Sequence, residues 1–225
     1  MIYLSGCTNN LIEESLVKAG IGLILNPKSG YVGRCQRFRC FAIDNGCYAN
    51  KWEEGYWLDW LATIPTDKCL FAVAPDVYPD AKASLERGLK YTDLIRSMGF
   101  PVAIVAQDGA EKIDYPWDEF DCMFIGGERT PKAKDEWKIS KEAELVCNRA
   151  RNAGKWVHMG RVNSLMRLKR AERMGCNSVD GTYLKYGPSV LLPNLLKYVE
   201  VINDKQTLFE DQWETHGHSI HRNFS

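Results

Sequence analysis

Four polar side chains each stand where a short apolar run stops: Asp44 after FAI, Asp76 after FAVAP, Gln107 after AIVA and Asp180 after NSV. Carboxylates that converge on one cavity are the equipment for chemistry at an anomeric carbon. One attacks C1′ while another manages the proton, with an oxocarbenium-like transition state between them. Gln107 offers donors and an acceptor on a neutral amide, which suits the edge of a planar heterocycle. Taken singly, each has a plainer explanation. Asp44 precedes Asn-Gly, residue types that favour tight turns. Asp76 could cap a helix beginning near Ala81, although Asp80 is better placed for that. An isolated Gln is more often a structural hydrogen-bonding group. Weight comes from the coincidence of all four at equivalent places.

Further candidates follow the same rule. Gly126 and Gly127 in FIGGER allow a backbone to approach a ligand with its N–H groups free to donate, and Glu128 is either a mouth carboxylate or a solvated loop charge. In WVHMGR, His158 lies inside an apolar run and reads as a satisfied core residue rather than a base. Met159 and Gly160 could form an apolar shelf under a flat base. Arg161 leads into a segment with Arg167, Lys169, Arg170 and Arg173, by default a solvated face but beside a mouth a track for nucleic-acid phosphates. Gly181 behind Asp180 leaves that carboxylate uncrowded.

Elements that could position these groups alternate along the chain. Apolar runs at Ile2–Ser5, Gly22–Asn26, Phe41–Asp44, Cys69–Ala74, Val102–Gln107, Asp121–Ile125, Trp156–Met159 and Asn177–Asp180 read as buried parallel strands. Helical patterns fall at Leu11–Ala19, Glu53–Thr63, Ala81–Met98, Glu136–Ala153, Ser164–Met174 and Ser189–Val201, several followed by Gly. Eight strands predict a single-domain (β/α)8 TIM-like barrel over residues 1–202, whose active site gathers at the carboxyl ends of the strands. A flavodoxin-like open sheet has the same periodicity and is the alternative. Pro27–Cys40 is the weakest join, a Gly- and Arg-rich stretch without a clear helix. Residues 203–225 read as a polar tail lying on the barrel or partly disordered.

Composition narrows the function classes. With 225 residues, 45% hydrophobic and 26% charged, the chain can bury one sizeable core. Its formal net charge of zero argues against coating nucleic acid by bulk electrostatics, while leaving room for a local basic face. No signal peptide is evident and no run nears the roughly 20 apolar residues of a membrane span. The eight cysteines contain no CxxC pair. They read as core thiols of a reduced, cytoplasmic protein, not as zinc ligands. His216, His218 and His221 form an HxHxxH with no cysteine nearby, so no metal site is assigned.

The motifs, in their order, resemble the tRNA-guanine transglycosylase superfamily, whose members exchange guanine for a 7-deazaguanine on an α/β barrel. IDNGCYA, with Asp44, is similar to the family's DSGGFQ. APDV with Asp76 is similar to LDD, and VAQDG with Gln107 to VQGG. Ile125–Gly127 match IGG, His158–Val162 resemble LMGVG, and VDGTYL with Asp180 is similar to FDCVMPTR. The likeness spans roughly Phe41 to Tyr183. The zinc-binding CxCxxC module of the tRNA enzymes is missing and GTY replaces their PTR, so the short zinc-free phage and bacterial DNA-guanine transglycosylases are the nearer match.

That resemblance implies a transferase that places a 7-deazaguanine, such as preQ0 or preQ1, into DNA of a bacterial or phage-infected cell, with no cofactor. Asp180 aligns with the nucleophile. Asp44 would act as general acid/base, though the two roles could be exchanged. Asp76 would accept from the guanine N1–H and exocyclic amine, and Gln107 with the Gly127 N–H would donate to O6. The partners implied are DNA with the target flipped out or single-stranded, the free deazaguanine base, and a second copy or a strand-opening helper. The alternatives are a tRNA substrate, a small-molecule N-glycoside enzyme, and an inactive base- or DNA-binding subunit.

Overall fold

A computed structural model of the chain describes residues 1–214 other than 7–8, 10–11, 29–31, 50–51 and 129–135. Eight parallel strands close into a barrel in sequence order: β1 (Ile2–Ser5), β2 (Gly22–Leu25), β3 (Phe41–Ile43), β4 (Cys69–Val73), β5 (Val102–Ala106), β6 (Cys122–Ile125), β7 (Trp156–Met159) and β8 (Ser178–Gly181). β8 completes the ring by pairing with β1 in the register Leu4 to Asp180. The (β/α)8 expectation therefore holds and the open-sheet alternative falls.

Side chains alternate across the barrel wall with the period of two that strands impose. Leu4, Ile24, Ala42, Phe71, Val73, Ala103, Val105 and Cys122 fill the interior. Their neighbours Leu23, Phe41, Ile43, Ala72, Ile104, Met123 and Val157 face outward under the helices. The same alternation carries the site. Asp44 stands two residues beyond Ala42, Gln107 two beyond Val105 and Asp180 two beyond buried Ser178, so all three continue an inward-facing line. Phe71 closes the barrel floor, edge-on to Phe124 and to His158. Truncating it to Ala would leave a void costing about 3–5 kcal/mol.

Among the described residues, seven α-helices cover the outside: α1 (Glu13–Lys18), α2 (Glu54–Ala62), α3 (Ala81–Gly88), α4 (Thr92–Ser97), α5 (Lys141–Asn152), α6 (Leu165–Arg173) and α7 (Pro188–Glu214). The expected single helix over Ala81–Met98 is broken. Gly88 lies so close to the sheet that a Cβ there would sit 2.7 Å from Ile104 Cδ1. A 3-10 turn at Leu89–Tyr91 follows, in which the Thr92 hydroxyl donates to the Leu89 carbonyl and competes with helix continuation. Asp80 caps α3 through the Ala83 N–H (2.9 Å), as its position suggested, and Asp76 is left for the mouth. Ser140 and Ser164 cap α5 and α6, so the expected start at Glu136 comes too early; Trp137–Ile139 is a 3-10 turn. Another such turn, Val32–Arg37, stands in the weak join between β2 and β3.

The last helix does not stop at Val201. Its backbone runs on to Glu214 and carries Pro193 inside it, at the sixth position, where the ring removes one intrahelical hydrogen bond. The three tail histidines lie outside the described residues, as does Cys7. The seven described cysteines are free thiols, six of them buried. No described helix is long and apolar enough to cross a membrane.

Candidate active site

The barrel mouth brings together Asp44, Asp76, Gln107, Gly126, Gly127, Gly160, Arg161 and Asp180. Asp76 follows β4 and is buried. Its Oδ1 accepts from Asn45 Nδ2 (3.0 Å) and its Oδ2 from Gln107 Nε2 (2.6 Å). Asn45 is itself fixed by donating to the Ala74 carbonyl (2.7 Å). Burial pushes the Asp76 carboxyl above its ordinary value, and the Asn45 and Gln107 donors pull it back. Gln107 passes the pattern on, because its Oε1 accepts from the Gly127 N–H (2.9 Å). Gly127 has φ +89, a left-handed conformation that glycine adopts without strain, and its Cβ would press on Asp108 and Trp137 at 3.0 Å. Asp76, Gln107 and Gly127 thus form one strip of matched donors and acceptors. The Gly127 N–H, expected to point at a ligand, is engaged by Gln107 in this state.

Asp180 is held differently. The Arg161 N–H lies 3.3 Å from both carboxylate oxygens, and His158 Nε2 lies 3.2 Å from Oδ2. His158 is fully buried, packed between Phe71 and Phe124. Its Nδ1 meets Ser178 Oγ at 2.8 Å, and Ser178 Oγ also meets Trp156 Nε1 at 2.8 Å. The indole nitrogen can only donate, and an ionised carboxylate can only accept. A neutral ring with its proton on Nε2 satisfies every member, and the donors then run in one direction: Trp156 to Ser178 to His158 to Asp180.

The turn after β7 is built to aim that Arg161 N–H. Arg161 has φ 57, unusual for a residue with a side chain. The turn is anchored by Lys138, whose ammonium donates to the Gly160 carbonyl (3.0 Å) while lying 3.6 Å from Glu136. Burial, then the nearby Arg161 charge, pushes the Lys138 amine down to about 8, with Glu136 and Asp180 opposing.

Among the described residues, the Asp44 carboxylate has a single donor, the Gly46 N–H at 3.0 Å. Burial pushes its carboxyl up to about 6; the Gly46 N–H opposes, and the charges of Asp180 and Asp76 add to the rise. The three carboxylates come from the ends of β3, β4 and β8, on the same carboxyl-terminal rim of the closed barrel.

Other expected positions resolve otherwise. Met159 is fully buried in the outer core, because the pleat turns it away from the interior, so any shelf is left to Gly160. Arg161 does not face solvent for phosphates. Its guanidinium lies over the Tyr48 ring at 4.7 Å, and Nη2 donates to the Gly127 carbonyl. Arg167 is tied to buried Glu136 (2.7 Å), and Arg170 to the Ile139 and Ser140 carbonyls and to Glu144. Of the expected phosphate track, Lys169 and Arg173 are exposed and make no such ties among the described residues. Glu128 is exposed. His158, Asn45 and Lys138 were not assigned site roles from the sequence. His158 was rightly read as buried and satisfied, yet one of its partners is Asp180. Asn45 was hidden as a turn residue, and Lys138 lies in a segment with no periodic signal.

No protein-family model and no curated protein matches this chain. Among the described residues, no group of His, Cys, Asp and Glu is arranged to hold a metal ion. The arrangement itself offers a carboxylate held by donors, a second carboxyl with an affinity for protons near neutrality, and a strip of hydrogen-bonding groups between them.

Proposed function

We propose that this protein exchanges the base of a nucleoside unit, replacing guanine in DNA with a free 7-deazaguanine through a covalent Asp180–glycosyl intermediate. One observation carries the reading: Asp180 and Asp44 share a mouth but sit in opposite hydrogen-bonding surroundings, beside a strip suited to a guanine edge. Asp180, held by the Arg161 and His158 donors, attacks C1′ as the bond to guanine breaks. Asp44, poised near 6, delivers a proton to the departing base and takes one from the incoming base. Asp76 accepts from N1–H and the 2-amino group, and the second N–H of Gln107 donates to O6. The incoming base attacks C1′ and releases Asp180. Donor and acceptor bases are chemically alike, so the exchange needs no outside energy source.

The DNA target would have to leave its stack to bring C1′ within reach, which a few kcal/mol of unpairing covers. With zero net charge and three of the candidate phosphate arginines, Arg161, Arg167 and Arg170, engaged within the protein, strong duplex affinity is not expected without single-stranded or already unpaired target. The test is incorporation of radiolabelled guanine, offered with duplex DNA, single-stranded DNA and tRNA. Label in DNA supports the reading, label in tRNA alone moves the substrate to RNA, and label in neither ends it.

A further inference from the structure

Resting on base exchange at this site, we infer that Arg161 selects the incoming base, favouring a 7-deazaguanine whose 7-substituent is a hydrogen-bond acceptor, neutral or anionic, over one bearing an ammonium. The groups at the mouth come from consecutive strands. Asp76 follows β4, Gln107 β5, Gly127 β6 and Arg161 β7, while Asp180 is on β8. Atoms around the edge of a 7-deazaguanine run in the same order: the 2-amino group and N1, then O6, then position 7, then N9 with its sugar. With Asp76 on N1, Gln107 on O6 and Asp180 on C1′, the group left for position 7 is the Arg161 side chain.

Its condition fits that task. Nη2 is spent on the Gly127 carbonyl, but Nη1 is closed off from solvent and has no hydrogen-bond partner among the described residues. A buried cationic donor without an acceptor is unfavourable, and a ligand that supplies one relieves it. The guanidinium is steadied by the rings of Tyr48 and Tyr78, which meet edge to face at 5.0 Å. An ammonium at position 7 would find the Gly127 carbonyl already taken and a fixed positive charge beside it. A nitrile, carboxamide or carboxylate would receive the free N–H. On the neighbouring turns, Asp108 accepts from the Glu128 N–H at 2.7 Å and the Glu128 side chain is exposed, and among the described residues neither is paired with Arg161.

The experiment is competition among free bases in the labelled-guanine exchange assay, using 7-cyano-, 7-carboxy- and 7-aminomethyl-7-deazaguanine with the wild type, Arg161→Met and Arg161→Lys. In the wild type, kcat/KM for the 7-cyano or 7-carboxy base should exceed that for the 7-aminomethyl base by roughly tenfold or more, the discrimination expected of one charge-assisted hydrogen bond. Arg161→Met should collapse that ratio toward unity, and Arg161→Lys should keep part of it. A wild type that takes the aminomethyl base equally well or better overturns the inference while leaving base exchange standing; so does a ratio unmoved by both variants. Failure of every base, guanine included, overturns base exchange itself. The wild-type series decides even where Arg161→Met does not fold.

Discussion

The two sides of the barrel mouth treat the same functional group in opposite ways. On the β7–β8 side, Asp180 receives the Arg161 N–H and the end of a directed chain from Trp156, Ser178 and His158. On the β3 side, Asp44 receives one N–H among the described residues and is largely buried, which raises its carboxyl to about 6. Donors stabilise a carboxylate as an anion; burial beside like charges favours the acid. A carboxylate oriented by several donors is placed to attack, and a carboxyl raised to about 6 is placed to carry a proton. The exchange of roles that sequence order left open is therefore weighted toward Asp180 as the attacking group on the proposed reading.

The largest effect should come from removing that anion. Asp180→Asn should lower exchange by about 10⁴-fold or more and abolish any covalent protein–DNA adduct seen by mass spectrometry of denatured reactions. Asp44→Asn should slow adduct formation without eliminating it. An adduct that persists in Asp180→Asn and vanishes in Asp44→Asn would invert the comparison. A second test is the pH profile. If Asp44 must enter the cycle as an acid, the fraction protonated falls as pH rises through about 6, so the rate of guanine release should drop close to tenfold per pH unit above that value. The descending limb should be missing in Asp44→Asn.

The barrel was legible because parallel strands buried on both faces leave unbroken apolar runs, and all eight were placed to within a residue or two at their ends. Asp44, Gln107 and Asp180 were legible for the same reason, as polar residues on the inward side of a strand end. What failed was direction. Met159 beside Gly160 looked like a shelf, but adjacent residues on a strand point to opposite faces, and parity puts Met159 outside. Arg161 looked like the first member of a basic track, yet a left-handed turn folds it back into the mouth. Neither turn hand nor the buried Lys138 anchor leaves a periodic trace. Helix ends failed where a local hydrogen bond won, as at Thr92 and Ser140.

His158 permits an intermediate test of the β7–β8 side. Losing a hydrogen bond to a charged group amounts to about 1.5–3 kcal/mol, or roughly 10- to 100-fold in rate if it acts in the attack step. His158→Ala should therefore reduce kcat by that range with little change in KM for the free base. His158→Gln, whose amide can still donate toward Asp180, should recover part of it. Equal losses in both variants, with KM rising in step, would mark His158 as a packing residue and remove the directed chain from the comparison.

The smallest effect concerns stability and isolates the Asp44 side from catalysis altogether. Asp44 moves from an ordinary 3.8 to about 6 on folding. Between those values the folded protein holds a proton that the unfolded chain has lost, so stability falls as pH rises through the window and the penalty is complete above about 6. At about 1.4 kcal/mol per pH unit the ceiling is near 3 kcal/mol, and the partly accessible carboxyl argues for about 1–2. Asp44→Asn keeps an oxygen for the Gly46 N–H and cannot ionise. It should unfold at higher denaturant than the wild type near pH 7, with the difference shrinking below about pH 6 and gone near pH 3, beneath the unfolded value of 3.8. A gain that stays constant across that range would mean that the burial of charge is not what distinguishes this side of the mouth, and the pH limb assigned to Asp44 would lose its physical basis.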